Sequence, residues 1–239
     1  MDTIKVQRNG VKMVAHRGVS GLELENTCAA FVAAGNRSYF GVETDVHVTA
    51  DGQFIIIHDS NTGRVATEAV VAEETDYQTL RGLQLKQSDG MLRTDLHLPS
   101  LEEYLSICKH YDKVCVLELK LAMSEDAVRR IVEVCKTVYC LDKMVFIAFD
   151  FQNLLYVRKY APDVAAQYLM SKTVTAEHID AMVDNKLDLD IYEKKMTKEL
   201  LDTLHSRGIK VNCWAVDDPE RAEELVSWGV DFITSNILE

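Results

Sequence analysis

The chain has 239 residues, of which 47% are hydrophobic and 27% are charged, and this balance excludes a disordered or fibrous protein. Its formal net charge of -12 argues against a broad nucleic-acid-binding surface, because affinity for a polyanion comes mainly from clustered Lys and Arg. A small phosphate substrate is compatible with this charge, since it needs only a few local cations and a metal.

Targeting signals and disulfides are also not expected. The N-terminal residues lack the apolar run of a signal peptide, and no stretch approaches the roughly 20 apolar residues of a membrane span. The six cysteines show neither a CxxC motif nor a Cys/His spacing typical of a metal site. We therefore expect a cytoplasmic protein without a membrane span, in which the cysteines are free and mostly buried thiols.

Short β-rich apolar runs alternate with longer helical patterns along the chain. Eight runs predict strands at residues 12–15, 41–46, 114–119, 144–149, 165–169, 187–191, 210–214 and 231–234. Seven patterns predict helices at residues 25–34, 101–110, 125–138, 151–160, 176–185, 198–207 and 219–228. Ser100, Ser124 and Asp218 are suitable N-caps for three of these helices.

Strands of this kind separated by helices indicate a parallel sheet, because each helical crossover returns the chain to the same edge. We favour closure into a single α/β domain, a (β/α)8 TIM barrel covering residues 1–239. A doubly wound open sheet is the alternative that the pattern leaves open.

Two segments interrupt this alternation. After the second predicted strand, a turn at Asp51-Gly52 precedes a strand-like run at residues 53–58. Residues 60–99 then show no regular rhythm beyond a short helix at 77–83, and we interpret them as an insertion at the catalytic face. The sequence also ends just after the eighth predicted strand, so the eighth helix is expected to be missing or very short. A neighbouring subunit could cover the resulting gap, so a homo-oligomer is possible.

Carboxylates gather where the second and third predicted strands end, the place where barrel enzymes carry their active sites. Glu43 and Asp45 alternate along one strand and therefore point to the same side, and Glu118 lies on the next strand. Buried carboxylates repel one another unless a cation compensates them, and an all-oxygen set suits Mg2+ or Ca2+. The alternative is a set of salt bridges, such as Glu118 with Lys120 or Glu43 with Arg17.

Two histidines, His16 and His58, lie at strand ends with polar neighbours. Imidazoles can divide the roles of general base and general acid, although a single histidine is more often structural. Asp59 either orients His58 through a hydrogen bond or caps the following turn. His47 lies two residues beyond the carboxylate pair and is expected in a loop or behind the site. The remaining histidines are expected at the surface: His97, His110, His178 and His205.

The motifs that contain these residues form a series along the chain. The chain reads VAHRGVSGLELENTCAAFVAAG, then GVETDVHVTADGQFIIIHD, then VLELK, and finally VNCWAVDD and DFITSN. In its order and spacing this series resembles the glycerophosphodiester phosphodiesterase family from end to end.

The resemblance implies a (β/α)8 barrel with an inserted segment after the second strand. It also implies one divalent metal ion and a small-molecule glycerophosphodiester substrate, which is hydrolysed to an alcohol and sn-glycerol 3-phosphate. Glu25 would organise the first loop, and Trp214 either stacks on glycerol carbons or closes the top of the barrel. The implied roles are an acid–base pair of His16 and His58, metal ligation by Glu43, Asp45 and Glu118, and phosphate binding by Arg17 and Lys120.

Three positions depart from the family pattern and bear on substrate fit rather than on chemistry: Leu24, Thr44 and Ala215. A lysophospholipid-cleaving enzyme on the same scaffold is a rival, but the polar segment 60–99 does not suggest an apolar mouth. A non-catalytic phosphate-binding barrel would be expected to lack a histidine or a carboxylate, and the sequence retains them all. An aldolase or isomerase would ordinarily have a glycine-rich phosphate-binding loop after the seventh strand, and no such loop follows Trp214.

Overall fold

The computed structural model describes residues 2–239 and has a closed barrel of eight parallel strands at its centre. The first strand pairs with both the second and the last, so the sheet closes on itself and the open-sheet alternative is wrong. The predicted (β/α)8 barrel is confirmed. Its strands are β1 (Lys12–Ala15), β2 (Gly41–Val48), β6 (Val114–Leu119), β7 (Met144–Ala148), β8 (Ala165–Met170), β9 (Asp188–Tyr192), β10 (Val211–Trp214) and β11 (Phe232–Ser235).

Seven helices pack around the barrel, and their starts follow the predicted capping residues. Ser100 accepts a hydrogen bond from the backbone of Glu103, and Ser124 and Asp218 cap their helices in the same way. The first helix is an exception, because it begins at Cys28 rather than at Glu25, with Thr27 as its N-cap. The helices are α1 (Cys28–Gly35), α3 (Leu101–His110), α4 (Glu125–Val138), α5 (Phe151–Tyr160), α6 (Ala176–Asp184), α7 (Lys198–Ser206) and α8 (Pro219–Trp228).

The chain between the second barrel strand and α3 forms a small unit of its own. Strand β3 (Phe54–Ile56) runs antiparallel to the end of β2, which extends β2 to Val48, two residues beyond the prediction. Residues 60–99 contain the predicted short helix as α2 (Tyr77–Gly82) and a hairpin of β4 (Leu85–Lys86) and β5 (Leu92–Arg93). A separate hydrophobic cluster holds this unit together, and it includes Ile55, Val65, Leu80, Leu85 and Leu98.

The strand register arranges the inward-facing side chains in layers of four, each layer drawn from alternate strands. One layer contains Glu43, Ile147, Asp190 and Thr234. The next layer, closer to the carboxyl ends of the strands, contains His16, Glu118, Leu169 and Trp214. The polar residues of both layers are therefore brought to one end of the barrel interior.

No helix follows β11, as expected, and two extended segments of the same chain cover the seam instead. Ile4 pairs with Leu238 in a parallel bridge, and the carbonyl groups of Ile237 and Glu239 accept hydrogen bonds from the backbone of Ile4 and Val6. Leu238 is fully buried against the main core. Residues 3–6 and 236–239 therefore cover the seam from within the chain, at the place where a neighbouring subunit was one predicted alternative.

The cysteines are all free thiols, and four of the six are buried. Within residues 2–239, no helix is long and apolar enough to cross a membrane.

The Glu239 carboxylate should contribute to stability in a pH-dependent way. It is buried, accepts hydrogen bonds from the Thr3 hydroxyl at 2.6 Å and the Ser38 backbone, and pairs with Lys5 at 2.6 Å. Burial alone would raise its pKa, but these partners lower it from 4.5 to about 2. The stabilisation is therefore present above pH 4.5 and is lost as the pH falls through 2. We expect Glu239→Gln to lower the free energy of unfolding by about 1–3 kcal/mol at pH 7.

This difference between wild type and Glu239→Gln should shrink toward zero when chemical denaturation is repeated at decreasing pH. A difference that stays constant down to pH 2 would contradict the role of the carboxylate charge.

Candidate active site

Three carboxylates meet at the carboxyl end of the barrel interior. Glu43 and Asp45 project from β2, and Glu118 projects from the neighbouring β6, whose register places it beside Asp45. One oxygen from each of the three lies within 4.8 Å of the others, and their exposed fractions are only 3%, 0% and 8%. This is the cluster that the alternation of the sequence predicted.

Two cations lie against this cluster. Lys120 approaches Glu118 at 2.8 Å and Asp45 at 3.3 Å, and Arg17 places its Nε 3.7 Å from Asp45. The Glu118–Lys120 ion pair of the salt-bridge alternative therefore exists, whereas Arg17 contacts Glu43 through its backbone. Arg17 also shares its charge with Glu25, at 2.9 Å. The two cations thus face four carboxylates.

The electrostatics of the cluster show an excess of negative charge. Burial and the neighbouring carboxylates raise the pKa of Glu43 well above its usual range and that of Glu118 to about 8. Burial acts in the same direction on Asp45, but Lys120 and Arg17 outweigh it and lower its pKa. Oδ1 of Asp45 accepts no hydrogen bond from any group in residues 2–239. Its contact is the ion pair with Lys120 at 3.3 Å. An oxygen-rich cluster in which one buried oxygen accepts no hydrogen bond fits a hard divalent cation.

The loop after β1 positions the cluster through two residues in the left-handed region. Arg17 has φ +52°, and its backbone N–H donates to Oε2 of Glu43 at 2.7 Å. Asn26 has φ +54°, and its side-chain amide donates to Asp45 at 2.8 Å. The Thr44 hydroxyl donates to the other end of the Asn26 side chain at 2.7 Å. Thr44 therefore orients the residue that holds Asp45.

His16 lies at the end of β1 with its two ring nitrogens in different surroundings. Nδ1 is 2.7 Å from Oδ1 of Asn236, and Nε2 faces Glu43 at 4.0 Å. Since an amide oxygen only accepts, this contact places the proton of the neutral ring on Nδ1. Burial, assisted by the positive charge of Arg17, lowers the pKa of His16 from 6.5 to about 4.

His58 belongs to a chain of charged contacts that spans the mouth of the barrel. Its Nδ1 is 2.6 Å from Asp59, so Asp59 orients the ring, which was one of the two predicted alternatives. Asp59 accepts a further bond from Arg64 at 2.6 Å, and Arg64 donates to both oxygens of Glu25, at 2.6 and 2.8 Å. Burial lowers the pKa of His58. Through Glu25 and Arg17 this chain returns to the carboxylate cluster.

The other histidines do not line the site. His47 is buried in β2, where it contacts Glu73 and the carbonyl oxygen of His58 at 3.2 Å, so it lies behind His58. The four histidines predicted to lie at the surface are exposed or half-buried: His97, His110, His178 and His205.

A cavity that is open to solvent lies between the two histidines and the opposite wall of the barrel. That wall is apolar and aromatic, with Ile147, Leu169 and Trp214 among its residues. Trp214 is half-buried and packs against Phe149 and Tyr192 with ring centroids 5.8 and 5.7 Å apart. Six of the eight predicted site residues line this cavity, and the other two contact residues that do: Asp45 lies beside Arg17, and Lys120 contacts Glu118.

Among the site residues that sequence reasoning missed, three are polar residues whose signals differ. Asn26 is part of the Glu-Asn-Thr motif, so its position beside a predicted site residue was a usable signal. Asp190 occupies an inward position in the alternating run Leu-Asp-Leu-Asp-Ile, and the period of two could have identified it. Arg64 comes from the irregular segment 60–99, where no local pattern points to it.

Comparison with known proteins agrees with this geometry. The Glycerophosphoryl diester phosphodiesterase family model matches residues 16–238. A curated relative, the glycerophosphodiester phosphodiesterase of Caldanaerobacter subterraneus subsp. tengcongensis, is 24% identical over 226 residues, covering 94% of this chain and 93% of that protein.

Solved structures give the same result. A phosphodiesterase from Oleispira antarctica, solved in complex with the product sn-glycerol-3-phosphate, superimposes with a TM-score of 0.88 at 25% identity, covering 95% of this chain and 93% of that one. A glycerophosphodiester phosphodiesterase from Parabacteroides distasonis has a TM-score of 0.80 at 26% identity, with 96% and 94% covered. Because the family match extends over nearly the whole chain, this protein belongs to the glycerophosphoryl diester phosphodiesterase family of enzymes.

Proposed function

We propose that this protein hydrolyses glycerophosphodiesters to an alcohol and sn-glycerol 3-phosphate, with His/His acid–base catalysis and one bound divalent cation, Mg2+ or Ca2+. The observation that carries the proposal is the convergence of three carboxylates, two cations and two histidines on one cavity at the carboxyl ends of the strands. The product complex of the Oleispira antarctica relative supports the choice of substrate class.

Glu43, Asp45 and Glu118 are the proposed metal ligands. When bound, the cation would offset the negative charge that develops on the phosphate oxygens. The residue arrangement supports this. The positive charges of Lys120 and Arg17 do not fully offset burial and the repulsion among the carboxylates, so the pKa of Glu43 and of Glu118 stays raised.

Arg17 and Lys120 are proposed to bind the phosphate group beside the carboxylate cluster. Both side chains are mostly buried, at 18% and 13% exposure, so their charges act in a medium of reduced polarity and are weakly screened. Trp214 is proposed to contact the carbon skeleton of the substrate from the opposite wall.

His16 and His58 are proposed to transfer protons at their Nε2 atoms. In each ring, Nδ1 contacts a fixed acceptor, Asn236 or Asp59, so the other nitrogen is directed away from that partner. One histidine takes the proton of the nucleophile and the other protonates the leaving alkoxide. A non-catalytic binding barrel has no need for two imidazoles oriented in this way. Segment 60–99 is proposed to support the site mouth through Arg64.

Removal of a metal ligand tests the cation site directly. We expect the wild type, treated with EDTA and then supplied with Mg2+ or Ca2+, to recover release of glycerol 3-phosphate from glycerophosphocholine, glycerophosphoethanolamine or glycerophosphoglycerol. Glu43→Gln should lose at least about a hundredfold in turnover. It should also lose the rise in Tm that metal causes in the wild type, since only a ligand that binds the folded state stabilises it.

Glu133→Gln is a matched control, because Glu133 lies at the exposed surface of α4 and pairs with Lys136, far from the site. It should behave as the wild type in both measurements. Unchanged metal activation in Glu43→Gln would refute the assignment of this ligand.

Removal of either imidazole tests proton transfer. His16→Ala and His58→Ala should each lose at least about a hundredfold in kcat, because general acid–base catalysis contributes about 10²–10⁴-fold per group. The metal-induced rise in Tm should persist in both variants, which distinguishes them from Glu43→Gln. His110 is exposed, so His110→Ala is the control and should retain wild-type turnover. Near-normal turnover in His16→Ala or His58→Ala would refute the acid–base assignment.

Arg64 is a positioning residue, because it acts on His58 only through Asp59. We expect Arg64→Ala to lower kcat about 5- to 30-fold with little change in KM, since a small misplacement of a proton-transferring group affects the transition state more than binding. Arg64→Lys should recover part of the loss. Arg93→Ala, which removes a neighbouring guanidinium paired with Glu23 and Asp95, should stay within about twofold of the wild type. A KM effect of equal size in Arg64→Ala would argue for a general loosening of the segment instead.

A further inference from the structure

One ionisable residue in the cavity has no part in the proposed chemistry. Asp190 lies on β9, in the same interior layer as Glu43 but across the barrel axis from it. It is only 1% exposed, and its Oδ1 has no hydrogen-bond partner anywhere in residues 2–239. A buried carboxyl oxygen without a partner costs stability, so its presence in a cavity wall calls for a ligand.

The neighbours of Asp190 leave its Oδ1 without a partner, although the Asn212 side chain also hydrogen-bonds to the Asp190 carboxyl group. On β10, the Asn212 amide and the Thr234 hydroxyl of β11 bond to each other at 2.8 Å. On the other side, β8 places Leu169 beside Asp190. Burial and the charge of Glu118 raise the pKa of the Asp190 carboxyl well above its usual range, and the hydrogen bond with Asn212 opposes them only in part.

A second unsatisfied atom of opposite character lies in the same wall. Nε1 of Trp214 is a buried N–H donor without a hydrogen-bond partner among the residues that the structure describes. Both Trp214 and Asp190 line the cavity, and they lie on the adjacent strands β10 and β9. The register pairs Asp190 with Asn212, and Trp214 follows Asn212 by two residues, so its side chain lies on the same face of β10. The wall therefore offers one acceptor and one donor to whatever fills the cavity.

The chemistry of this pair selects among possible ligand groups. A hydroxyl group satisfies both, because it donates to the carboxyl oxygen and accepts from the indole N–H. An ammonium group could satisfy only Asp190, and a quaternary ammonium has no proton to donate. A phosphate could accept from Trp214 but would be repelled by an ionised Asp190.

We propose that Asp190 and Trp214 together bind a hydroxyl group on the glycerol arm of the substrate, which makes Asp190 a specificity-determining residue for polyol phosphates. This inference rests on the proposed phosphodiesterase function. With the phosphate beside Arg17 and Lys120, the adjoining carbon chain extends across the cavity past Ile147 and Leu169 to this pair.

The test compares two diesters with the same leaving group. One is the 4-nitrophenyl ester of sn-glycerol 3-phosphate, and the other is ethyl 4-nitrophenyl phosphate, which has no hydroxyl group. We expect Asp190→Ala to lower the ratio of kcat/KM for the glycerol ester over the ethyl ester about 10- to 100-fold, the loss typical when a buried hydrogen bond to substrate is removed. Asp190→Asn, which keeps an acceptor oxygen, should lose less.

The Tm of Asp190→Ala distinguishes a binding role from a structural role, because loss of a structural residue would lower it. Because Asp190 is buried and unsatisfied, Asp190→Ala should leave the Tm unchanged or raise it. A clear fall in Tm with equal losses on both esters would show a structural residue and overturn the proposal. An unchanged ratio would also overturn it. The proposal would also be overturned if Asp190→Ala lost turnover on glycerophosphoethanolamine but on neither nitrophenyl ester, since that result would assign Asp190 to a cationic head group.

Binding separates this inference from the proposed activity. By calorimetry, the wild type should bind sn-glycerol 3-phosphate more tightly than ethyl phosphate, and Asp190→Ala should lose that preference. A wild type that cleaves neither ester would refute the phosphodiesterase function, while the binding preference still decides the role of Asp190. Equal affinity of the wild type for the two ligands would refute the Asp190 assignment even if both esters are cleaved.

Discussion

The repulsion among three buried carboxylates is the constraint on which the site depends. Glu43, Asp45 and Glu118 lie within 4.8 Å of one another in the barrel interior, where neither bulk water nor salt screens them. Lys120 bridges two of them, and Arg17 divides its charge between Asp45 and Glu25. The remaining imbalance raises the pKa of Glu43 and Glu118, and a divalent cation is the simplest means of removing it.

The loop after β1 shows how the fold holds such a cluster in place. A left-handed conformation costs roughly 1–2 kcal/mol at Arg17 and less at Asn26, because Asn is among the few residues that adopt it readily. Each of these residues recovers a hydrogen bond to a cluster carboxylate, from the backbone of Arg17 to Glu43 and from the side chain of Asn26 to Asp45. The same backbone turn also directs the guanidinium of Arg17 toward the cavity. The strain of the loop and the charge of the cluster therefore stabilise one arrangement together.

The parts of the site that were predictable are those that local periodicity encodes. Alternation along β2 and β6 places Glu43, Asp45 and Glu118 on one face whatever the rest of the chain does. The contact of His16 with Asn236 joins residues 220 positions apart, and it depends on closure of the barrel. The bonds of Arg64 depend on how an irregular segment folds back, which propensity does not determine. The predicted helix start at Glu25 was wrong for a related reason, since that carboxylate is held in the site by two arginines.

The two walls of the cavity differ in how far the protein satisfies its own polar groups. On the β1, β2 and β6 side, the two buried atoms without a hydrogen bond are Nε of Arg17 and Oδ1 of Asp45, and each faces an opposite charge, Asp45 at 3.7 Å and Lys120 at 3.3 Å respectively. On the side of β9 and β10, Oδ1 of Asp190 and Nε1 of Trp214 have neither a hydrogen bond nor an ion pair within residues 2–239. Unsatisfied buried atoms each cost about 1–3 kcal/mol, so they are retained where a ligand completes them. The proposed proton transfer and the proposed recognition of the carbon skeleton therefore lie on opposite sides of the barrel axis, so a substitution on the aromatic wall is expected to change which diester fits without disturbing the two histidines.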